Sequence, residues 1–169
     1  MPLQGLTVMT PFPPQTDLRA YRAALGTFAT GVTVVAIITD TGPIGITANS
    51  FASVSLDPAL ILWSPAKSSS RFKAFHAASR FAVHVLRDSQ SAIATAFTRS
   101  KDAFADLDWH LSAAGTPVLP DCLARFDCDT HAAHDAGDHA IILGQVREVT
   151  HGLGSPLVFH GGQFGRFAL

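Results

Sequence analysis

Cysteine is scarce in this chain. Cys122 and Cys128 are the only two among 169 residues, too few to staple a fold of that size, and they read as free thiols in a reducing compartment. Charge is scarce as well, at 15% of residues. Twelve basic side chains against thirteen acidic ones leave a formal charge of −1, so neither a nucleic-acid footprint nor a membrane-attracting surface is expected. Long apolar runs are missing: none exceeds Val34 to Ile38, far short of a bilayer span. The first residues lack a basic segment followed by an apolar one, so no secretion signal is expected and the cytoplasm is the expected location. With no internal repeat, low-complexity tract or linker, the length implies one domain over residues 16–169. An extended arm with Pro11, Pro13 and Pro14 precedes it over residues 1–15.

Apolar residues, by contrast, make up 47% of the chain. Against so little charge, that excess implies either a large core or an apolar face covered by a partner subunit. Thr16 or Asp17 can cap a helix over 16–29 whose Leu18, Tyr21, Leu25 and Phe28 share one face, with Gly31 as its stop. Val32 to Thr39 reads as a strand apolar on both faces, a wall with core on one side and a helix or second subunit on the other. Asp40-Thr41-Gly42-Pro43 has turn chemistry, and Ile44 to Ala48 returns as the hairpin partner. Ala59 to Trp63 and Phe81 to Leu86 are further strands. Short helices are expected over 69–78, with Phe72 and Phe75 inward, and after Asp88 or Ser89, carrying Ile93 and Phe97. Residues 98–120 read as an excursion over the barrel mouth. Leu123 to Cys128, Ala140 to Val149 and Pro156 to His160 supply the last strands. About six strands, mostly joined by hairpins, predict a mainly β fold, a closed antiparallel barrel with short flanking α-helices.

The stretch from Gly45 to Arg71 carries the chemistry. Small residues at Thr47-Ala48-Asn49-Ser50 let a flat ring lie against the backbone, with Asn49 and Ser50 as donors. Ser53-Val54-Ser55 alternates, so both hydroxyls could line one side of a ligand while Val54 packs inward; an ordinary edge strand would look the same. Lys67-Ser68-Ser69-Ser70-Arg71 precedes a helical pattern, which suits a phosphate through serine donors, the helix dipole and two cations. A redundant helix cap is the plainer reading of those serines. Trp63, next to the expected ring site, would alter stacking there. A separate cluster of Cys128, His131, His134, Asp135, Asp138 and His139 has the composition for zinc or iron, with His131 and His134 on one helical turn. Its alanine and glycine spacers and its unmatched spacing favour a polar loop instead.

Several pieces in order resemble the flavin reductase family, the small reductase components of two-component monooxygenases. They are Phe28-Ala29-Thr30-Gly31-Val32-Thr33-Val34-Val35, Gly45 to Pro58, the serines at 68–70, Arg80 to Leu86, Gly137-Asp138-His139, and Pro156-Leu157-Val158-Phe159-His160. The resemblance implies a Greek-key, FMN-binding split barrel, a homodimer, and reduction of FMN, or FAD, by NADH or NADPH, with a monooxygenase as the partner supplied. It places the isoalloxazine edge at Thr47, Ala48, Asn49 and Ser50, the ribityl chain at Ser53, Val54 and Ser55, and the phosphate at Lys67, Ser68, Ser69, Ser70 and Arg71. It puts His139 beside the flavin, where the nicotinamide stacks. The segment Gly161-Gly162-Gln163-Phe164-Gly165 departs from the family pattern, with no cation before Arg166. A flavin-binding carrier or redox sensor without turnover, and a metal-dependent enzyme built on residues 128–139, are the alternatives.

Overall fold

The structure, a computed structural model, describes residues 10–100 and 102–167. The first nine residues of the expected arm lie outside that range. Helix α1 spans Leu18–Gly26, where the Asp17 carboxylate caps it by accepting from the Ala20 N–H at 2.9 Å. It ends five residues before the expected stop, and the Gly26 carbonyl accepts from the Gly161 N–H at 2.9 Å. Gly31 instead belongs to the short strand β1 (Thr30–Gly31).

Strands β2 (Thr33–Thr39) and β3 (Gly42–Ala48) form the first hairpin, and β4 (Ala52–Leu56) and β5 (Ala59–Trp63) the second. Helix α2 (Phe72–Ala77), strand β6 (Arg80–Val85) and helix α3 (Ser91–Arg99) follow. A small hairpin of β7 (His110–Leu111) and β8 (Pro117–Val118) sits in the excursion. The long hairpin of β9 (Ala124–Ala136) and β10 (His139–His151) comes next, then β11 (Leu157–His160) and β12 (Gln163–Arg166). Seven antiparallel strands run in the order β3-β2-β6-β9-β10-β5-β4, with β1-β11-β12 as a separate sheet. No helix among the described residues is long and apolar enough to cross a membrane.

The fold is mainly β and antiparallel, as expected, but the ladder does not close: β3 and β4 are its two edges and do not pair. Just before β4, the Ser50 side chain takes the backbone groups of Ser64 that a longer β4–β5 ladder would use. Its hydroxyl accepts from the Ser64 N–H at 2.9 Å and donates to the Ser64 carbonyl at 3.3 Å.

The two apolar faces of β2 are explained by two cores. Val35 and Ile37 enter the barrel interior with Trp63, Phe75, Phe81 and Ile142, while Val34 and Ala36 pack outward under α3 with Leu86, Phe97 and Phe104. Alternation along a strand sends neighbours to opposite faces, so one strand serves both. Gly45 lets α3 lie close: a Cβ there would stand 2.5 Å from Phe97 Cε1. Trp63 is 1% exposed and meets Phe75 edge-on at 5.2 Å, so it belongs to the core and does not stack at a surface ring site.

The expected polar loop at 129–136 is strand, because β10 pairs with it from Ala136 back to Ala124. His131 and His134 therefore share no helical turn. Among the described residues no group of three or more His, Cys, Asp or Glu could hold a metal.

Candidate functional site

The edges left apart by the split gather most of the expected residues. Strand β3 delivers Thr47 and Ala48; the crossing delivers Asn49 and Ser50. The Thr47 hydroxyl donates to the Ala94 carbonyl at 2.6 Å, fastening β3 to α3. Asn49 is exposed, whereas the Ser50 hydroxyl is committed to Ser64.

Ser53, Val54 and Ser55 do not form one polar row. A bulge leaves Val54 unpaired and 47% exposed rather than packed inward. Ser53 stands opposite Ile61 and Ser55 opposite Leu60, neighbours on β5 whose side chains leave opposite faces. The two hydroxyls therefore cannot line the same side of a ligand.

The run 67–71 is a turn latched to its surroundings. Lys67 pairs with the Asp135 carboxylate and donates to the Gly137 carbonyl at 2.6 Å. The Lys67 N–H donates to the Asp138 carbonyl at 2.9 Å, and Ala66 bridges His139. These contacts bring the β9–β10 turn onto the serine run. There Gly137 has φ +67°, the left-handed backbone a two-residue hairpin asks of its first residue. His139 Nδ1 lies 2.7 Å from Asp138 Oδ1. Hydrogen bonds from Lys67 and His139 hold the Asp135 and Asp138 carboxyls below their ordinary range.

Arg71, expected to meet a phosphate, is committed to backbone. Its Nη1 donates to the carbonyls of Gly45 (2.8 Å), Phe97 (2.7 Å) and Ser100 (3.4 Å), and Nη2 to that of Thr98 (3.3 Å). The serines do not cap α2, whose N-cap is Arg71 with no side-chain bond. The Ser69 hydroxyl accepts from the Arg71 N–H at 3.2 Å, and Ser68 and Ser70 are exposed.

Beside Thr47 and Asn49 opens a cavity of about 360 Å³. That is near the lower end of the range for small-molecule sites, roughly 300–1,000 Å³. Its wall is mostly apolar, with Val32, Phe159 and Phe164, whose two rings lie 5.6 Å apart. Thr95, Thr98 and Arg99 of α3 complete it. Of the residues expected from the sequence, only Thr47 and Asn49 line this cavity. Phe159 belonged to a matching family piece and was the legible signal; the α3 residues carried none.

A ring-sized apolar slot with a few polar groups at its rim suits a flat aromatic ligand. Residues 25–168 match the family model described as flavin reductase like domain. The chain belongs to the flavin reductase-like family. It is 59% identical over 150 residues to FMN reductase (NADH) SmoA of Agrobacterium fabrum, covering 89% of this chain and 86% of that one. It is 38% identical over 154 residues to the flavin-dependent monooxygenase reductase subunit HsaB of Mycobacterium tuberculosis, covering 89% and 82%. Among solved structures, the NADH:FAD oxidoreductase SgcE6 of Streptomyces globisporus superposes with a TM-score of 0.88 at 37% identity, covering 95% and 93%. The chain is thus an oxidoreductase of the flavin reductase family, with flavin and a reduced nicotinamide as its redox pair, as the resemblance implied.

Proposed function

We propose that this flavin reductase takes FMN, oxidises NADH in preference to NADPH, and supplies reduced flavin to a monooxygenase component. The Phe-lined cavity beside Thr47 and Asn49 carries the reading. In it the ring's apolar surface meets Phe159 and Phe164, which exclude water, and Asn49 offers an amide to the ring's polar edge. The phosphate end runs toward the 67–71 turn, where the Ser68 and Ser70 hydroxyls are exposed and the exposed Lys67–Asp135 pair is weak enough to exchange partners. Once bound, the flavin supplies the hydride acceptor; the chain binds and orients. His139, its Nδ1 engaged by Asp138, keeps Nε2 for a nicotinamide placed over the ring.

The test is a steady-state assay crossing NADH and NADPH with FMN, FAD and riboflavin. Turnover best with NADH and FMN is the expected result. Flavin binding without turnover would favour the carrier reading, and neither binding nor turnover would reject both.

We also infer a homodimer closed over α1. No residue of α1 is buried, although Leu18, Tyr21, Leu25 and, just beyond it, Phe28 are 63%, 40%, 58% and 77% exposed. An amphipathic helix with its apolar face in water needs a cover. Light scattering is expected to give twice the 17.9 kDa chain mass for the native protein, and one chain mass for Leu25→Asp. A native protein of single-chain mass would end this inference.

A further inference from the structure

Two arginines meet at the C-terminal end of α3, and only one is accounted for. A cation there is ordinarily explained by the helix dipole and the terminal carbonyls. Arg71 already fills that role through Phe97, Thr98 and Ser100. Arg99, in the last turn of the same helix, makes no hydrogen bond or ion pair among the described residues. It stands on the wall between two cavities of about 360 Å³ each, the Phe-lined one and another outside α3.

The neighbouring threonines sharpen its role. Thr47 donates to the Ala94 carbonyl at 2.6 Å, Thr98 to the same carbonyl at 3.0 Å, and Thr95 to Ser91 at 2.9 Å. A hydroxyl has one proton, so toward the cavity these three offer lone pairs, which repel an anion. Beyond Arg99, the second cavity carries Asp102 and Asp106, which repel it too. Among the described residues that line it, Arg99 is then the cation at which an anionic group of a ligand in the first cavity comes to rest. Its guanidinium is suited to phosphate because it can present two parallel N–H donors.

We propose that Arg99 seats a phosphate of the bound nucleotide at the mouth of the Phe-lined cavity, and so makes the site favour phosphorylated ligands over their neutral cores. This rests on the flavin reading above. The phosphate can come from the flavin or from the nicotinamide nucleotide, since the Arg71 bonds place the 67–71 turn against the same helix end.

Equilibrium titrations followed by ligand fluorescence test it, with FMN, riboflavin and NADH as probes of native protein, Arg99→Ala and Arg99→Lys. Arg99 is exposed, and an unchanged melting temperature verifies that each variant folds. In Arg99→Ala, an affinity for FMN about tenfold weaker with riboflavin unchanged assigns the flavin phosphate. A similar loss for NADH assigns the nicotinamide nucleotide instead. Arg99→Lys is expected to recover part of either loss. Unchanged affinity for both FMN and NADH would overturn the proposal, as would an equal loss for riboflavin. Native protein that binds none of the flavins would sink the flavin reading itself.

Discussion

Replacing Arg71 by Ala is expected to lower stability on the order of 3 kcal/mol, and the unfolding midpoint by roughly 10 °C. The side chain joins three segments: the turn before α2, the Gly45 carbonyl of β3, and the carbonyls ending α3. Two of its bonds, at 2.8 and 2.7 Å, are well formed and come from a charged donor, which raises the value of each. Without the guanidinium these acceptors lose their partner, and the helix end that walls the cavity comes loose from the strand edge. Arg71→Lys should recover little, since one ammonium cannot span several carbonyls. The sequence placed Arg71 on a phosphate, and the two roles separate cleanly. A variant that melts like the native protein yet loses FMN affinity would restore the phosphate role.

Acidification supplies the second large effect, through His84. Its ring is fully buried, with Nδ1 3.1 Å from the Val34 carbonyl and Nε2 accepting from the Leu119 N–H at 3.2 Å. That geometry fixes a neutral ring with its proton on Nδ1. Burial pushes its pKa down from 6.5 to about 4, against the opposing pull of the Val34 carbonyl. Between those values the unfolded chain binds a proton that the folded chain refuses, so stability is complete above pH 6.5 and drains away toward pH 4. The integrated loss is about 3 kcal/mol. A proton on Nε2 would confront the Leu119 N–H, donor against donor, and release the segment around β8. Asp135 and Asp138, whose carboxyls are held low, act only below 3.8 and leave this window to the histidine. Urea unfolding at intervals from pH 7 to 4.5 measures it. A flat stability across that range would contradict the argument.

The sequence and the fold agree where the information is local. Asp17 was legible as a cap because its acceptor works within one turn. The β2–β3 turn, expected at Asp40-Thr41-Gly42-Pro43, was legible to within two residues: it falls at Asp40-Thr41, and Gly42, at φ +117°, and Pro43 already open β3. The strand at 59–63 was matched to the residue. The apolar run of β2 announced that both its faces would be covered, though not by what.

Partners distant in the chain were not legible. Lys67 and Arg71 looked like a phosphate clamp because their own neighbours are serines. In the fold Asp135, 68 residues on from Lys67, pairs with it across an exposed contact, and the Gly45 and Phe97 carbonyls, each 26 residues from Arg71, hold the guanidinium. Strand β9 outran its predicted end because β10, not its own alternation, keeps residues 129–136 extended. By itself the sequence determined the family, the β architecture and the small-residue edge at Thr47–Ser50, all of which are written in short ordered motifs. Only the tertiary structure decided where that edge opens and which cations the fold itself engages, because a side chain's first claim is to whatever folding brings within hydrogen-bond reach.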